Sequence, residues 1–429
     1  MFGFANFLLL ALFAAAVFDL IFALARGGGL RGALHGLWNT PHLLFGQQLA
    51  EWRLQLGRIL FAAGLAAYEI SVVFCNSMAR QNWAWVQGVM SPVLEWLAFL
   101  CFGAKILFGT RYTWRELLAG GALYFIARWV YFNSQNIWWI GIVVAVLAAK
   151  DVRLRHPLQV YFASGCAAMA VVLALHFAGI VAPDLTSERM GALRGTYGYG
   201  HPNTFGGLVF GLVLAYALLR AQKVRWVDCL LVFAVGVFLL VGPASRSAAL
   251  CTLALAVGLV FCRLRAGHSV PRWWPGTCAG MVGLTAAVSY LLPLLVIKVG
   301  PWNNDIGPAW LAKLDSLLTC RISLTWMAYR LLDVKIAGQV FNWPTVDNSF
   351  AFALFQFGPV VAALLGILFA AALWGHAKQG RRVEVCCLFA MLAYAYMEVQ
   401  PLHLTTNPTA LLLCGAVFAQ TSARWQKIE

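Results

Sequence analysis

Long apolar runs separated by short charged loops constrain the fold of this chain more than any other feature. Thirteen segments of the 429-residue sequence approach or exceed the length that an α-helix needs to cross a bilayer, about 20 residues. Residues 31–53 mix Leu and Trp with His, Gln and Arg, a pattern typical of a segment that lies along the interface. The apolar runs are residues 2–25, 57–77, 91–109, 117–132, 136–149, 157–182, 203–219, 226–243, 247–262, 276–299, 348–374, 383–400 and 407–423. The sequence therefore predicts an all-α polytopic membrane protein with about 12–14 transmembrane helices.

The composition excludes several other classes of protein. Hydrophobic residues make up 62% of the chain and charged residues 11%, whereas a soluble domain carries roughly 25% charged residues. The net charge of +15 lies in short loops between apolar runs, so we expect a membrane and no nucleic acid as partner. The eleven cysteines include no CxxC pair, which argues against a zinc site or a disulfide framework.

The distribution of Lys and Arg predicts the topology. With the C-terminus in the cytoplasm, 21 of the 31 basic residues fall in inner loops, and thirteen helices then place the N-terminus outside. This orientation leaves two outer regions of interest, residues 183–203 and a long loop over residues 300–347, in which residues 311–333 have the pattern of an amphipathic helix. We therefore divide the chain into an N-terminal bundle, 1–182, and a C-terminal bundle, 183–429, which carries the motifs below.

Three arginines, Arg194, Arg246 and Arg321, fall on the outer side against the charge rule. Arg246 lies beside Ser245 between two apolar runs with almost no loop. A guanidinium there needs an anion, and its planar fork matches phosphate oxygens. The three arginines either bind a pyrophosphate group or extend singly to lipid headgroups.

A glycine-rich segment, Arg194–Gly207, is the most polar stretch of the outer side. Its glycines permit close approach of the backbone to a ligand, and Pro202 marks the start of a helix. His201 and Asn203 lie at that helix start, where free N–H groups point outward. The segment either binds a ligand or is a turn that caps the next helix.

Acidic residues at the outer edge are candidates for a general base. Asp347 and Asn348 end the long loop just before an apolar run, as an N-cap or as catalytic groups. Glu398 lies in an apolar run, followed by His403, and either acts in the site or pairs with an arginine. The sequence contains no Asp-x-Asp, Walker or HExxH motif, so we expect no metal and no cofactor.

Four motifs follow one another between residues 190 and 410. They are Arg194–Gly206, Ser245-Arg246-Ser247, Leu314–Ile322 with Ile336-Ala-Gly338, and Val346–Phe350 with Phe357-Gly358. This ordered set resembles the O-antigen polymerase and ligase superfamily of membrane glycosyltransferases, in particular the Wzy-type polysaccharide polymerases of Gram-positive bacteria. The sequence departs from the family at Cys320, where a small residue such as Gly is usual, and at Asp347, where related ligases often carry a His.

The resemblance implies a GT-C-like fold and a glycan donor linked to undecaprenyl pyrophosphate. A polymerase of this kind joins lipid-linked repeat units on the outer face of the cytoplasmic membrane, and expected partners are a chain-length regulator and a flippase of the same pathway. The arginines would stabilise the leaving pyrophosphate, and Asp347, Glu398 or His403 would accept a proton. His201, Asn203, Ser245 and Asn348 would contact the substrate.

Two other functions remain open from the sequence. A ligase of the same superfamily would move the finished glycan to a different acceptor. A flippase or exporter of lipid-linked sugars would line a central path with polar groups through many helices. The motifs concentrate at one membrane face, which favours a transferase.

Overall fold

The computed structural model describes residues 2–26, 29–46, 51–181, 187–189, 192–297 and 306–418, and these are largely helical. Two antiparallel strand pairs join β1 (His42–Leu43) to β2 (Arg111–Tyr112) and β3 (Ser187–Arg189) to β4 (Ala192–Arg194). Residues 182–186, at the predicted boundary between the halves, and 298–305, at the start of the predicted outer loop, lie outside the described residues. The described α-helices are α1 (Phe2–Ala25), α2 (Gly29–Asn39), α3 (Glu51–Cys75), α4 (Ala79–Asn82), α5 (Ser91–Phe108), α6 (Trp114–Ser134), α7 (Ile137–Ala148), α8 (Arg155–Phe177), α9 (Pro202–Leu219), α10 (Trp226–Val241), α11 (Arg246–Leu264), α12 (Trp274–Leu291), α13 (Ala309–Leu317), α14 (Arg321–Leu331), α15 (Ser349–Phe352), α16 (Pro359–Lys378), α17 (Arg382–Met397) and α18 (Cys414–Val417).

Eight helical stretches in the described part of the chain are long and apolar enough to cross a membrane. Shorter apolar helices cover Ile137–Ala148, Trp226–Val241 and Pro408–Val417. Because α6 and α17 cover two further predicted runs, every predicted apolar segment contains helix. The chain is therefore an all-α polytopic membrane protein. The eight long stretches are Gly3–Ala25, Glu51–Cys75, Val86–Phe108, Arg155–Phe177, Pro202–Leu219, Arg246–Leu264, Trp274–Leu295 and Pro359–Lys378.

The amphipathic helix predicted over residues 311–333 is broken in two, and that part of the prediction is wrong. Thr319 and Cys320 adopt φ values of 62° and 63°, which end α13 and start α14. The buried Asp315 carboxylate bridges the break, because its Oδ1 accepts from the amides of Ile322, at 2.8 Å, and Ser323, at 3.2 Å. Glycine adopts this conformation most readily, so a non-glycine residue at position 320 is unusual.

The apolar run 348–374 is also interrupted, at Gly358, which separates α15 and a π-helical turn from α16. Gly358 has φ 85°, and a Cβ there would lie 2.1 Å from the carbonyl oxygen of Ile336. Gly338 faces it with φ 74°, and its Cβ would lie 2.1 Å from the carbonyl oxygen of Gln356. The two glycines therefore let the backbone of the loop after α14 lie directly on the start of α16.

One hydrophobic core runs through both halves of the chain, from Phe4 to Phe418. Helix α3 packs along α5 and α8, α8 packs on α9, and α11 packs on α10 and α17. Because short loops join many of these helices, successive helices cross the bundle in alternate directions. The starts of α9 and α11 and the end of α17 consequently meet at one end.

Candidate active site at one end of the bundle

A group of polar side chains lies where α9 and α11 begin, α14 begins and α17 ends. We call it the polar cluster. All but one of its members belong to the residues selected from the sequence. The polar cluster consists of Arg194, Asn203, Ser245, Ser247, Arg321, Asp347 and Glu398.

Glu398, the first residue after α17, is the centre of the polar cluster. Its Oε1 accepts from Arg321 Nη2 at 2.6 Å, from Ser247 Oγ at 2.8 Å and from Asn203 Nδ2 at 3.0 Å. The Glu398 residue is 4% exposed and Arg321 is 8% exposed, so this ion pair is largely removed from solvent. The pair with an arginine, one of the two alternatives for Glu398, is present.

Asn203 connects this ion pair to Arg194. Its Oδ1 accepts from Arg194 Nη2 at 3.0 Å and from Ser245 Oγ at 3.5 Å, while its amide nitrogen donates to Glu398. Arg194 also donates to the carbonyl oxygen of Ala244 at 3.2 Å and is buried. Asn203 therefore holds Arg194 directly and is joined to Arg321 only through Glu398.

Asp347 is the accessible carboxylate of the polar cluster. Its side chain is 32% exposed, and its Oδ2 lies 3.9 Å from Arg321 Nε. That nitrogen is buried and has no hydrogen-bond partner. Asp347 is not the cap of the following helix, because Asn348 Oδ1 accepts from the amides of Phe350 and Ala351 at the start of α15. The Asp347 side chain therefore does not cap α15.

Asn348 holds α15 against its neighbours. Its Nδ2 donates to Ser289 Oγ and to the carbonyl oxygen of Tyr396, both at 3.0 Å. Ser349 Oγ donates to the carbonyl oxygen of Glu398 at 2.6 Å. The loop that carries Asp347 is thereby fixed to the end of α17.

Three other residues selected from the sequence lie apart from the centre of the polar cluster. His201 is exposed and caps α9, since its Nδ1 accepts from the Asn203 amide at 3.1 Å. Arg246 is exposed at the first position of α11, while the next residue, Ser247, reaches Glu398. His403 lies in the core, stacked on Tyr68 with ring centroids 5.7 Å apart, and its Nδ1 contacts Thr405 Oγ1 at 2.8 Å.

The sequence analysis named Ser247 only as part of a motif, without a role in the site, and it did not select Gln400. Gln400 Nε2 donates to the backbone oxygen of Asn203 at 3.1 Å, and its Oε1 accepts from the Tyr394 hydroxyl at 2.8 Å. Gly207 makes room for Gln400, because a Cβ there would lie 1.7 Å from Gln400 Oε1. In the sequence, the adjacent glycines at 206 and 207 indicate that another segment comes close to α9 at this point.

The environment changes the acidity of Glu398. Burial raises the pKa of its carboxyl from 4.5 to about 7; the charge of Asp347 also raises it, while Arg321 and the hydrogen bond from Ser247 oppose the rise. A carboxyl with a pKa near 7 changes its charge close to neutral pH. The described residues contain no group of three or more His, Cys, Asp or Glu side chains that could hold a metal ion.

An apolar groove of about 710 Å³ lies between α12 and α16. Small residues on both helices form it, including Ala279, Gly280, Gly283, Ala362 and Gly366. At one end the groove reaches Tyr290, Tyr329 and Phe350. Tyr329 belongs to α14, which starts with Arg321, and Phe350 follows Asp347 by three residues. The groove therefore ends next to the segments that carry the polar cluster.

No known protein family, no curated protein and no solved structure matches this chain.

Proposed function

We propose that the chain is a membrane glycosyltransferase that polymerises undecaprenyl-pyrophosphate-linked oligosaccharide repeat units on the outer face of the cytoplasmic membrane. One observation carries the proposal: the partly exposed Asp347 carboxylate lies 3.9 Å from the buried Arg321 guanidinium, and the two segments that carry these groups reach an apolar groove through Phe350 and Tyr329. A lipid-linked glycan has a long apolar tail that matches the groove, an anionic linkage that matches Arg321, and a polar sugar that can meet Asp347. The resemblance of the four motifs supports the same chemistry.

The proposed reaction is a single displacement. A hydroxyl oxygen of the acceptor sugar attacks the anomeric carbon of the donor, and the bond from that carbon to the pyrophosphate oxygen breaks. Its electron pair leaves on undecaprenyl pyrophosphate, where Arg321 and Arg194 stabilise the charge. Asp347 takes the proton from the attacking hydroxyl, because it is the cluster's accessible carboxylate.

In this proposal Glu398 is a positioning residue. Its Oε1 is occupied by three donors, which leaves Asp347 as the better placed base. By holding Arg321 and Asn203, Glu398 fixes where the pyrophosphate binds. The oxygen atoms of the donor linkage would then meet an already ordered guanidinium, and little reorganisation would be needed during the reaction.

The location of the polar cluster supports a transferase that faces outward. Arg194, Ser247 and Glu398 belong to one end of the bundle, and the buried Lys105 and Lys150 belong to the other, basic end. The positive-inside rule assigns the basic end to the cytoplasm. A flippase would instead need polar groups along a path across the membrane.

The test uses the purified full-length protein in liposomes with one defined lipid-linked repeat unit. We expect a ladder of glycans that differ by one repeat unit, together with release of undecaprenyl pyrophosphate; liposomes without protein are the control. A ligase would release the lipid only when a second kind of acceptor is present. Movement of intact substrate across the bilayer, with neither ladder nor lipid release, would contradict the proposal in favour of a flippase.

A further inference from the structure

Two thiols meet at the end of the bundle opposite the polar cluster. Cys262 Sγ, near the end of α11, lies 3.5 Å from Cys386 Sγ, in the second turn of α17. Both cysteines are free. Nothing in the proposed transfer reaction uses this pair.

The sequence of α11 makes the contact possible. Gly258 stands one turn before Cys262, and a Cβ at that position would lie 3.1 Å from Cys386 Sγ. That distance is tighter than an ordinary Cβ contact, so glycine at this position leaves room for the Cys386 side chain against α11. The neighbouring Cys387 is fully buried and makes no such contact with Cys262 in the described structure.

A cavity of about 280 Å³ reaches one of the two cysteines. Cys262 lines it, together with the start of α17 and the loop after α9. Two arginines, Arg381 and Arg382, form part of its wall. Arg382 is fixed there, because its guanidinium donates to the carbonyl oxygens of Arg265 at 2.6 Å and His268 at 2.5 Å. The wall also contains Glu384, so the two guanidinium groups leave it with a net positive charge that attracts a negatively charged reagent.

We propose that Cys262 and Cys386 form a redox-active dithiol that reacts with anionic low-molecular-weight disulfides. Cys262, the cysteine that lines the cavity, gives up its proton and its sulfur attacks one sulfur of the reagent; the other sulfur leaves as a thiolate that takes up a proton. The Cys386 thiolate then attacks the Cys262 sulfur of the mixed disulfide and expels the second thiol. The two cysteines lose two electrons and two protons in total, and the reagent disulfide is reduced to two thiols.

The product would be a disulfide between α11 and α17. These helices also meet at the other end through the hydrogen bond from Ser247 to Glu398. Helices α11 and α17, which carry part of the polar cluster at one end, would then be joined covalently at the other end. The proposal does not depend on the transferase function, and its test measures only covalent state and stability.

The experiment treats the purified full-length protein, in lipid nanodiscs, with glutathione disulfide. We expect the intact mass to fall by two hydrogen atoms, a Cys262–Cys386 peptide cross-link, a higher unfolding temperature and reversal by a reductant. Cys386→Ser should stop at a glutathionyl adduct on Cys262, because the resolving thiol is missing. Cys387→Ser, the matched control, should react like the unchanged protein.

Two results would overturn the proposal. One is an unchanged mass at Cys262 and Cys386 while the folded protein is exposed to glutathione disulfide. The other is a cross-link that survives Cys262→Ser or that joins Cys387 in place of Cys386. Because the readout is a mass on folded protein, failure of a variant to fold is detected separately by its unfolding transition.

Discussion

At the scale of single residues, Glu398 and Arg321 form the fixed part of the polar cluster and Asp347 the accessible part. Glu398 accepts three hydrogen bonds through one oxygen. Arg321 Nη1 donates to the carbonyl oxygen of Leu318 at 2.8 Å. Only the Nε edge of Arg321 faces Asp347 without a hydrogen bond. A ligand oxygen between the two side chains would complete this geometry.

The pKa of Glu398 predicts how activity depends on pH. Because this pKa is raised to about 7, the carboxylate that holds Arg321 is neutralised as the pH falls through about 7. We expect turnover to fall over the same pH range, because Arg321 then has no charged partner at Glu398. Glu398→Gln should lower turnover at least about tenfold and remove this limb of the pH–rate profile. Glu384→Gln, which changes a buried carboxyl at the other end of α17, is the control, and an unchanged limb in Glu398→Gln would argue against this role.

Arg321→Lys tests the guanidinium itself. A lysine ammonium keeps the charge but cannot reach Glu398, the Leu318 carbonyl and Asp347 together. We expect a loss of turnover of about 10²-fold or more, the effect of removing one transition-state donor. Arg330→Lys, on the same helix and stacked 5.5 Å over Trp326, should retain activity. Equal activity of both variants in the reconstituted assay would exclude a bidentate contact by Arg321.

At the scale of elements, the contact between Gly338 and Gly358 attaches the outer loop to the start of α16. Ala at either position would place a Cβ 2.1 Å from a carbonyl oxygen and force a positive φ on a non-glycine residue. We expect Gly358→Ala and Gly338→Ala to destabilise the protein by more than about 1 kcal/mol each. Gly375→Ala, inside α16 with open space around it, should not lower the unfolding temperature. If all three variants unfold at the same temperature in detergent, the contact between Gly338 and Gly358 does not have the proposed role in stability.

The elements also explain which parts of the fold could be predicted. An apolar run is a local property, so the sequence located α1, α9 and α11 to within a few residues. The break at Gly358 had a local signal, because Pro359 follows it and Gly-Pro disfavours a continuous helix. The break at Cys320 had a weaker one, because it also depends on the Asp315 side chain, which turns back onto the amides of Ile322 and Ser323.

At the scale of the whole molecule, alternating helices gather the motifs at one end. This alternation is why Arg194, Arg321 and Glu398 could be assigned to one face from the sequence. Their partners could not, because the pairing of Glu398 with Ser247 and the burial of His403 depend on how α11, α17 and the core pack. The charge rule therefore predicts the membrane face on which these residues lie, whereas their hydrogen-bond partners depend on how the helices pack.

The orientation of the molecule can be tested by labelling. Lys223 and Asn342 are exposed on loops that the charge rule places on opposite sides of the membrane. In a background without other cysteines, an impermeant thiol reagent should label Asn342→Cys in intact cells, and Lys223→Cys only after the membrane is opened. The reverse pattern would place the polar cluster in the cytoplasm.

The central claim is that Asp347 takes the proton from the attacking sugar hydroxyl, and one measurement tests it most directly. Polymerisation by purified Asp347→Asn protein, on a defined lipid-linked substrate, should fall by at least about 10²-fold with donor binding nearly unchanged. Asp333→Asn, an exposed carboxylate earlier in the same loop, should match the unchanged protein. Near-normal turnover of Asp347→Asn, with a comparable loss in Glu398→Gln or His403→Ala, would contradict the account and assign the base to one of those residues.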